Sequence, residues 1–86
     1  MPWHLELTRR AAKDLDALSS REREAVEQRL EHLADDLGGA DVKKLTGRSD
    51  QWRLRVGRWR VILQMDNSTG TLYALRVLPR SEAYRD

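Results

Sequence analysis

The sequence predicts an α+β fold in which a hairpin of two helices packs on one face of a four-stranded, mainly antiparallel sheet, in the order β-α-α-β-β-β. Three observations lead to this prediction. Apolar residues recur with helical spacing between residues 8 and 37, and they alternate with polar residues between residues 51 and 78. Glycines separate the alternating segments. With 86 residues, the chain is predicted to form one domain, residues 1–86, with a short C-terminal tail.

The first predicted elements are a short strand and a helix. Trp3, Leu5 and Leu7 alternate with polar neighbours, as in a strand that buries one face. Thr8 can cap a helix that extends to about Leu18, because its hydroxyl can accept a hydrogen bond from an unpaired N–H of the first turn.

A second helix is predicted between the pair Ser19 and Ser20, which can cap it, and the pair Gly38 and Gly39, which end it. Its apolar residues are spaced four, three and four positions apart, so they form one stripe: Val26, Leu30, Leu33 and Leu37. The connection between the two helices is short, which favours an antiparallel hairpin. We expect the apolar stripe to be buried against the sheet.

A polar connection over residues 40–50 leads to three strands, which form an antiparallel meander at about 51–56, 58–66 and 71–78. Gly57 permits the first reversal, and residues 66–70 are typical of a hairpin turn. The tail leaves the sheet at Pro79, which has no N–H to donate to a strand ladder.

The alternation in these strands predicts one apolar face and one cationic face. The expected core face carries Trp52, Leu54, Val56, Trp59, Val61, Leu63, Met65, Tyr73, Leu75 and Val77. We expect Leu72 and Ala74 on the opposite face, together with five arginines and with Arg80 from the tail: Arg53, Arg55, Arg58, Arg60 and Arg76.

The distribution of charge indicates that this cationic face binds phosphate. Residues 1–42 have six Lys/Arg and ten Asp/Glu, whereas residues 43–86 have ten Lys/Arg and four Asp/Glu. Between residues 51 and 65 there are four arginines and no acid. Arginine makes bidentate, permanently charged contacts with phosphate. The alternatives are a basic face that only contacts solvent, or a surface that binds an acidic partner protein.

Several classes of function have no support in the sequence. There is no cysteine, which excludes disulfides and agrees with the cytoplasm, and His4 and His32 are far apart, so no metal site or cofactor is expected. No apolar run approaches the ~20 residues of a membrane helix, and no signal peptide is visible. Tyr84 follows Arg80 in the tail and either brings its phenol to the basic face or packs against the last turn.

Three segments carry a resemblance to a known family: KKLTG at 43–47, WRLRVGRWRVIL at 52–63 and PRSEAYR at 79–85. With the preceding helix hairpin, they make essentially the whole chain similar to the RelE family of bacterial and archaeal toxins. The resemblance implies a toxin of a two-gene toxin–antitoxin module, with a cognate antitoxin protein as partner. It further implies entry into the ribosomal A site and metal-independent cleavage of mRNA, with the ribose 2′-OH as nucleophile.

The resemblance also implies site residues. The catalytic residues that it indicates are Arg53, Arg55, Arg60, Arg80 and Tyr84, where the arginines surround the scissile phosphate and the tyrosine stacks on or orients a base. Further contacts to RNA or phosphate are expected from Lys43, Lys44, Arg58, Arg76 and Arg85.

This sequence departs from the RelE pattern at two points. Some RelE members have lysine where this chain has Arg53 and Arg55, and arginine cannot act as a base; the general base is therefore unassigned. A further arginine of some members aligns with Leu78, and Arg76 is expected to face the same way.

Two other functions remain open on the sequence. The ParE branch of the same superfamily shares the fold but poisons DNA gyrase and lacks the nuclease residues. The other alternative is a noncatalytic module that binds RNA or a partner protein. All three functions predict a basic face, and the retained arginines with Tyr84 favour the nuclease.

Overall fold

The computed structural model describes residues 3–36, 42–44 and 51–79. These residues form two helices and five strands: β1 (His4–Leu7), α1 (Arg9–Asp16), α2 (Ser20–Asp35), β2 (Val42–Lys44), β3 (Gln51–Val56), β4 (Trp59–Asp66) and β5 (Thr71–Pro79). The predicted α+β fold is confirmed. The sheet has one strand more than predicted, because β2, which the sequence assigned to a polar connection, pairs with β3.

The five strands form one sheet in the order β1-β5-β4-β3-β2. The last three strands form the predicted antiparallel meander, and β2 joins its outer side, also antiparallel. β1 pairs with β5 in parallel. The first and the shortest strands therefore lie at the two edges of the sheet.

Both helices begin at capping side chains. Thr8 caps α1 as predicted: its Oγ1 accepts the N–H of Ala11 at 3.1 Å and donates to the carbonyl of Leu75 at 2.8 Å. Ser19, the first of the two serines predicted to cap α2, accepts the N–H of Glu22 at 3.2 Å. α2 ends at Asp35, with Asp36 in an extended conformation, and so it ends earlier than the predicted Gly38 and Gly39, which lie outside the described residues. Neither helix is long and apolar enough to cross a membrane, as far as the described residues extend.

The core lies between the helix hairpin and one face of the sheet. The apolar stripes of both helices are buried there against the predicted strand residues, with almost no exposed surface: Ala11, Leu15, Val26, Leu30, Leu33, Leu54, Val61 and Leu63. Burying these aliphatic side chains supplies most of the stabilisation of such a fold. The predicted burial of the helix stripe and of Leu54, Val61 and Leu63 is thus confirmed, while Leu37 lies outside the described residues.

The prediction for the faces of β5 is wrong over its first half. Leu72 and Ala74 are fully buried in the core cluster, whereas Tyr73 and Leu75 are only half-buried and do not belong to it. The cause is a β-bulge: Leu63 pairs with Ala74, but the preceding Ile62 pairs with Arg76, so Leu75 is an extra residue in the ladder. One extra residue reverses the alternation of every position on the other side of it.

The bulge lies where α1 replaces β1 as the neighbour of β5. β1 pairs with β5 only as far as Ala74. Beyond Ala74, side chains of α1 and of its cap make hydrogen bonds to the backbone of β5. Thr8 donates to the carbonyl of Leu75, and Asp14 accepts the N–H of Val77 at 2.9 Å. The edge of β5 is thereby satisfied without another strand.

Candidate phosphate-binding site

Four cationic side chains line one small pocket on the face of the sheet opposite the helices: Lys43, Arg53, Arg55 and Arg60. Strand register explains why they meet. Lys43 of β2 pairs with Arg53 of β3, and Arg55 of β3 pairs with Arg60 of β4. The pocket has a volume of about 50 Å³, several times the ~10–15 Å³ that one water molecule needs.

The cations of the pocket differ in depth. Arg60 is only 1% exposed, Arg53 is half-buried, and Lys43 and Arg55 are exposed. Like charges that face each other across two strands repel, and burying a charge is costly. An anion that enters the pocket lowers both costs. Because guanidinium groups bind phosphate oxygens in a planar, bidentate manner, a phosphate group is the anion that this arrangement fits best.

Arg58 does not lie on this face, so its predicted placement is wrong. It occupies the turn between β3 and β4 and donates from Nε to a carboxylate oxygen of Glu22 in α2 at 2.8 Å. The indole N–H of Trp59 donates to the same carboxylate at 2.8 Å, and the guanidinium of Arg58 lies 5.2 Å from the centre of the Trp59 ring. These contacts tie the turn to the helix side of the sheet.

Both members of this ion pair are held in their charged forms. The hydrogen bonds from Arg58 and then Trp59 lower the pKa of Glu22 to about 2. The same contact with Glu22 raises the pKa of Arg58. Glu22 is thus ionised at any physiological pH, and the charge of Arg58 is matched by it.

Arg76 also has an acidic partner on a helix. By register it belongs to the cationic face, since it pairs with Ile62, but its Nε donates to Asp14 of α1 at 2.8 Å. Burial alone would raise the pKa of Asp14, but the bonds from Arg76 and the N–H of Val77 outweigh it and lower the pKa. Arg76 thus lies on the predicted face by register, and its charge is matched there by Asp14.

Lys44 is exposed but lies on the other face from Lys43. Adjacent residues of a strand point in opposite directions, and Lys44 pairs with Trp52, a residue packed against the core. Lys43 and Lys44 thus differ in position relative to the pocket while sharing a strand. The predicted residues Arg80, Tyr84 and Arg85 lie outside the described residues.

Sequence reasoning named all four pocket residues but not the reason that Lys43 joins them. The missing element was β2, which is only three residues long. Alternation of Val42, packed against the core, with the outward Lys43 is its only signal, and so short a pattern does not distinguish a strand from a loop.

An open, mixed sheet covered on one face by a helix hairpin, with a cationic pocket on the other, is the architecture of a class of small toxins. The family model described as "ParE toxin of type II toxin-antitoxin system, parDE" matches residues 5–84. The chain therefore belongs to this family, within the RelE/ParE superfamily of type II toxin–antitoxin modules. No curated protein matches the sequence.

Solved structures of RelE toxins have the same fold. The RelBE2 toxin–antitoxin complex of Mycobacterium tuberculosis contains a chain that is 26% identical, with a TM-score of 0.81 over 93% of this chain and 100% of that one. A mutant Escherichia coli RelE in complex with an antitoxin RelBc peptide is 25% identical, with a TM-score of 0.77 over 99% and 93%. The archaeal RelE–RelB complex of Pyrococcus horikoshii is 24% identical, with a TM-score of 0.79 over 93% and 97%. The resemblance to the RelE family is confirmed, and the protein is a toxin of a type II toxin–antitoxin module.

Proposed function

We propose that this toxin is a ribosome-dependent endonuclease that cuts mRNA in the ribosomal A site and thereby stops translation. The observation that carries the proposal is the convergence of Lys43, Arg53, Arg55 and Arg60 on one small pocket. The likeness to RelE toxins supports this proposal, and the ribosome as the place of action comes from what the resemblance to the RelE family implies.

In the proposed reaction, the ribose 2′-oxygen attacks the adjacent phosphorus. A bond from O2′ to phosphorus forms as the 2′-hydroxyl loses its proton to solvent. The bond from phosphorus to O5′ breaks and the 5′ oxygen takes up a proton from solvent, which leaves a cyclic 2′,3′-phosphate and a free 5′-hydroxyl. Negative charge increases on the phosphoryl oxygens in the transition state, and fixed cations of the pocket stabilise it. The three arginines stay protonated in proteins, so they stabilise charge but do not remove the proton of the 2′-hydroxyl. No metal ion takes part in this scheme.

The proposal includes a cognate antitoxin protein as partner. RelE chains similar to this one are bound to RelB antitoxins in the M. tuberculosis and P. horikoshii complexes. We expect the antitoxin to keep the pocket from RNA. The site of action would be the cytoplasm, where ribosomes translate mRNA. Arg80 and Tyr84 would complete the catalytic set from the tail, with Arg85 as a further phosphate contact.

A second candidate function is poisoning of DNA gyrase. The observation that favours it is the matching family model, which is that of ParE rather than RelE. A ParE-like toxin would use its basic surface without cutting RNA.

One experiment separates the two functions. Purified toxin is added to a translating bacterial extract, and the 5′ ends of the mRNA are mapped; the same toxin is added to gyrase with relaxed plasmid DNA. Ribosome-dependent cuts with 5′-hydroxyl ends, and unchanged supercoiling, support the endonuclease. Intact mRNA together with blocked supercoiling would support the gyrase poison, and no effect in either assay would contradict both.

A further inference from the structure

The face that carries the pocket continues into a row of amide and aromatic side chains. Gln51 of β3 pairs with Gln64 of β4, and Gln64 pairs with Tyr73 of β5. Gln51 precedes Arg53 by two residues in the same strand, so their side chains point to the same face. The row is thus the direct neighbour of the cationic pocket on one surface.

Tyr73 reaches this surface because of the β-bulge at Leu75. Without the extra residue, simple alternation would place the ring among the core residues. Instead Tyr73 is half-buried, and it is neither in the core cluster nor among the hydrophobic residues packed against it in the described part of the chain. An aromatic ring that leaves the core and joins a cationic face is a feature of proteins that hold single-stranded nucleic acid.

The spacing between the ring and the pocket suits a short nucleic-acid segment. Neighbouring strands are ~4.8 Å apart, and alternate residues of one strand are ~6.7 Å apart. Tyr73 lies two strands away from Arg53 and is displaced from it by two residues along the strand direction. These two steps correspond to about 12 Å between the backbone positions of the two residues. One strand of RNA can therefore contact the pocket with a phosphate and the ring with a nearby base.

We propose that Tyr73 stacks on a base of the RNA whose phosphate occupies the cationic pocket, and that Gln51 and Gln64 contact the edges of bases beside it. Each amide offers both donors and acceptors, as recognition of base edges requires. This row would be a base-binding subsite, distinct from the phosphate pocket, and it would influence which nucleotides flank the cleaved bond. The inference rests on the proposed function in taking RNA as the ligand.

The test compares a labelled single-stranded oligoribonucleotide with an abasic oligomer of the same length, and measures binding of each by fluorescence anisotropy. Tyr73→Leu keeps an apolar side chain but removes the flat ring. We expect it to bind the oligoribonucleotide about 5- to 150-fold more weakly than wild type, which is the stacking contribution of one base. Its binding to the abasic oligomer should not change. Tyr73→Phe retains the ring and should restore base-dependent binding.

Arg55→Gln is the matched comparison, because it removes a phosphate contact and should weaken both oligomers alike. Tyr73→Leu that binds both oligomers like wild type, or loses both equally, would overturn the proposal. If Tyr73→Leu does not fold, Gln51→Ala takes its place: reduced discrimination among oligomers of A, C, G and U supports the subsite, and unchanged discrimination overturns it. These outcomes do not depend on cleavage, so a wild type that leaves mRNA intact would contradict only the endonuclease.

Discussion

Arg55 and Arg60 occupy directly paired positions of β3 and β4, and Lys43 and Arg53 do the same in β2 and β3. Opposite charges at such positions would stabilise the sheet, whereas these like charges destabilise it. Residues that weaken a fold and converge on one pocket are typical of functional sites, where stability is given up for binding or catalysis. A function that binds an anion would account for like charges at these facing positions.

This loss of stability can be measured. Arg55→Gln removes one charge of the facing pair while keeping a long polar side chain. We expect the free energy of unfolding, from urea denaturation at low salt, to rise by about 0.2–1 kcal/mol. The gain should shrink at high salt, because ions screen the repulsion that the substitution relieves.

The control for this comparison is Lys44→Gln, which removes a positive charge from the other face of the same sheet. Its effect on stability should be smaller than that of Arg55→Gln. A variant Arg55→Gln that is less stable than wild type at low salt would contradict the view that the cations repel one another.

At the scale of secondary-structure elements, ion pairs fix the helices to the sheet. Glu22 joins the first turn of α2 to the β3–β4 turn through Arg58 and Trp59. Asp14 joins α1 to β5 through Arg76 and the N–H of Val77. Arg58 and Arg76, which alternation assigned to the cationic face, are thus bound to carboxylates of the helices.

The contact of Glu22 predicts a dependence of stability on pH. The pKa of Glu22 is about 2 in the folded protein against an ordinary value of 4.5. A carboxyl group with a lowered pKa stabilises the fold above its ordinary pKa, and this stabilisation is lost as the pH falls toward the folded value. We therefore expect the melting temperature of wild type to exceed that of Glu22→Gln at about pH 6, and the two to converge as the pH falls from 4.5 to about 2. A difference that stays constant over this range would show that the charge of Glu22 is not responsible.

The elements also show what sequence patterns predict and what they do not. The spacing of apolar residues and the capping residues predicted both helices, since Thr8 and the stripe of Val26, Leu30 and Leu33 act within their own helices. Alternation of apolar and polar residues predicted the meander. The bulge at Leu75 was not predicted, because nothing in the local sequence shows that Thr8 and Asp14 of a distant helix will bind this part of β5. Alternation was therefore correct for β3 and β4 and reversed in the first half of β5.

Over the whole molecule, the candidate site could be predicted in part. The excess of cations over residues 43–86 predicted a basic face, and alternation placed Arg53, Arg55 and Arg60 on it. The sequence could not predict the ion pairs of Arg58 and Arg76, whose acidic partners Glu22 and Asp14 lie 36 and 62 residues away in sequence. Long-range ion pairs of this kind leave no local signal.

Binding through the pocket predicts a defined salt dependence. Each phosphate that a protein cation neutralises on single-stranded RNA contributes a slope of about −0.7 to the plot of log affinity against log salt concentration. We expect Arg55→Gln to reduce the slope for RNA binding by about 0.7, measured by fluorescence anisotropy across salt concentrations. An unchanged slope would mean that Arg55 does not contact phosphate.

Under the proposed function, the four cations of the pocket stabilise the charge of the transition state of mRNA cleavage. The most direct test is the single-turnover rate of mRNA cleavage on saturating ribosomes, compared between Arg55→Gln and Lys44→Gln. Removing one preorganised cation of the pocket should lower the rate on the order of 10²–10³-fold, while Lys44→Gln, on the opposite face, should cut at nearly the wild-type rate. Equal rates for Arg55→Gln, Lys44→Gln and wild type would contradict the claim.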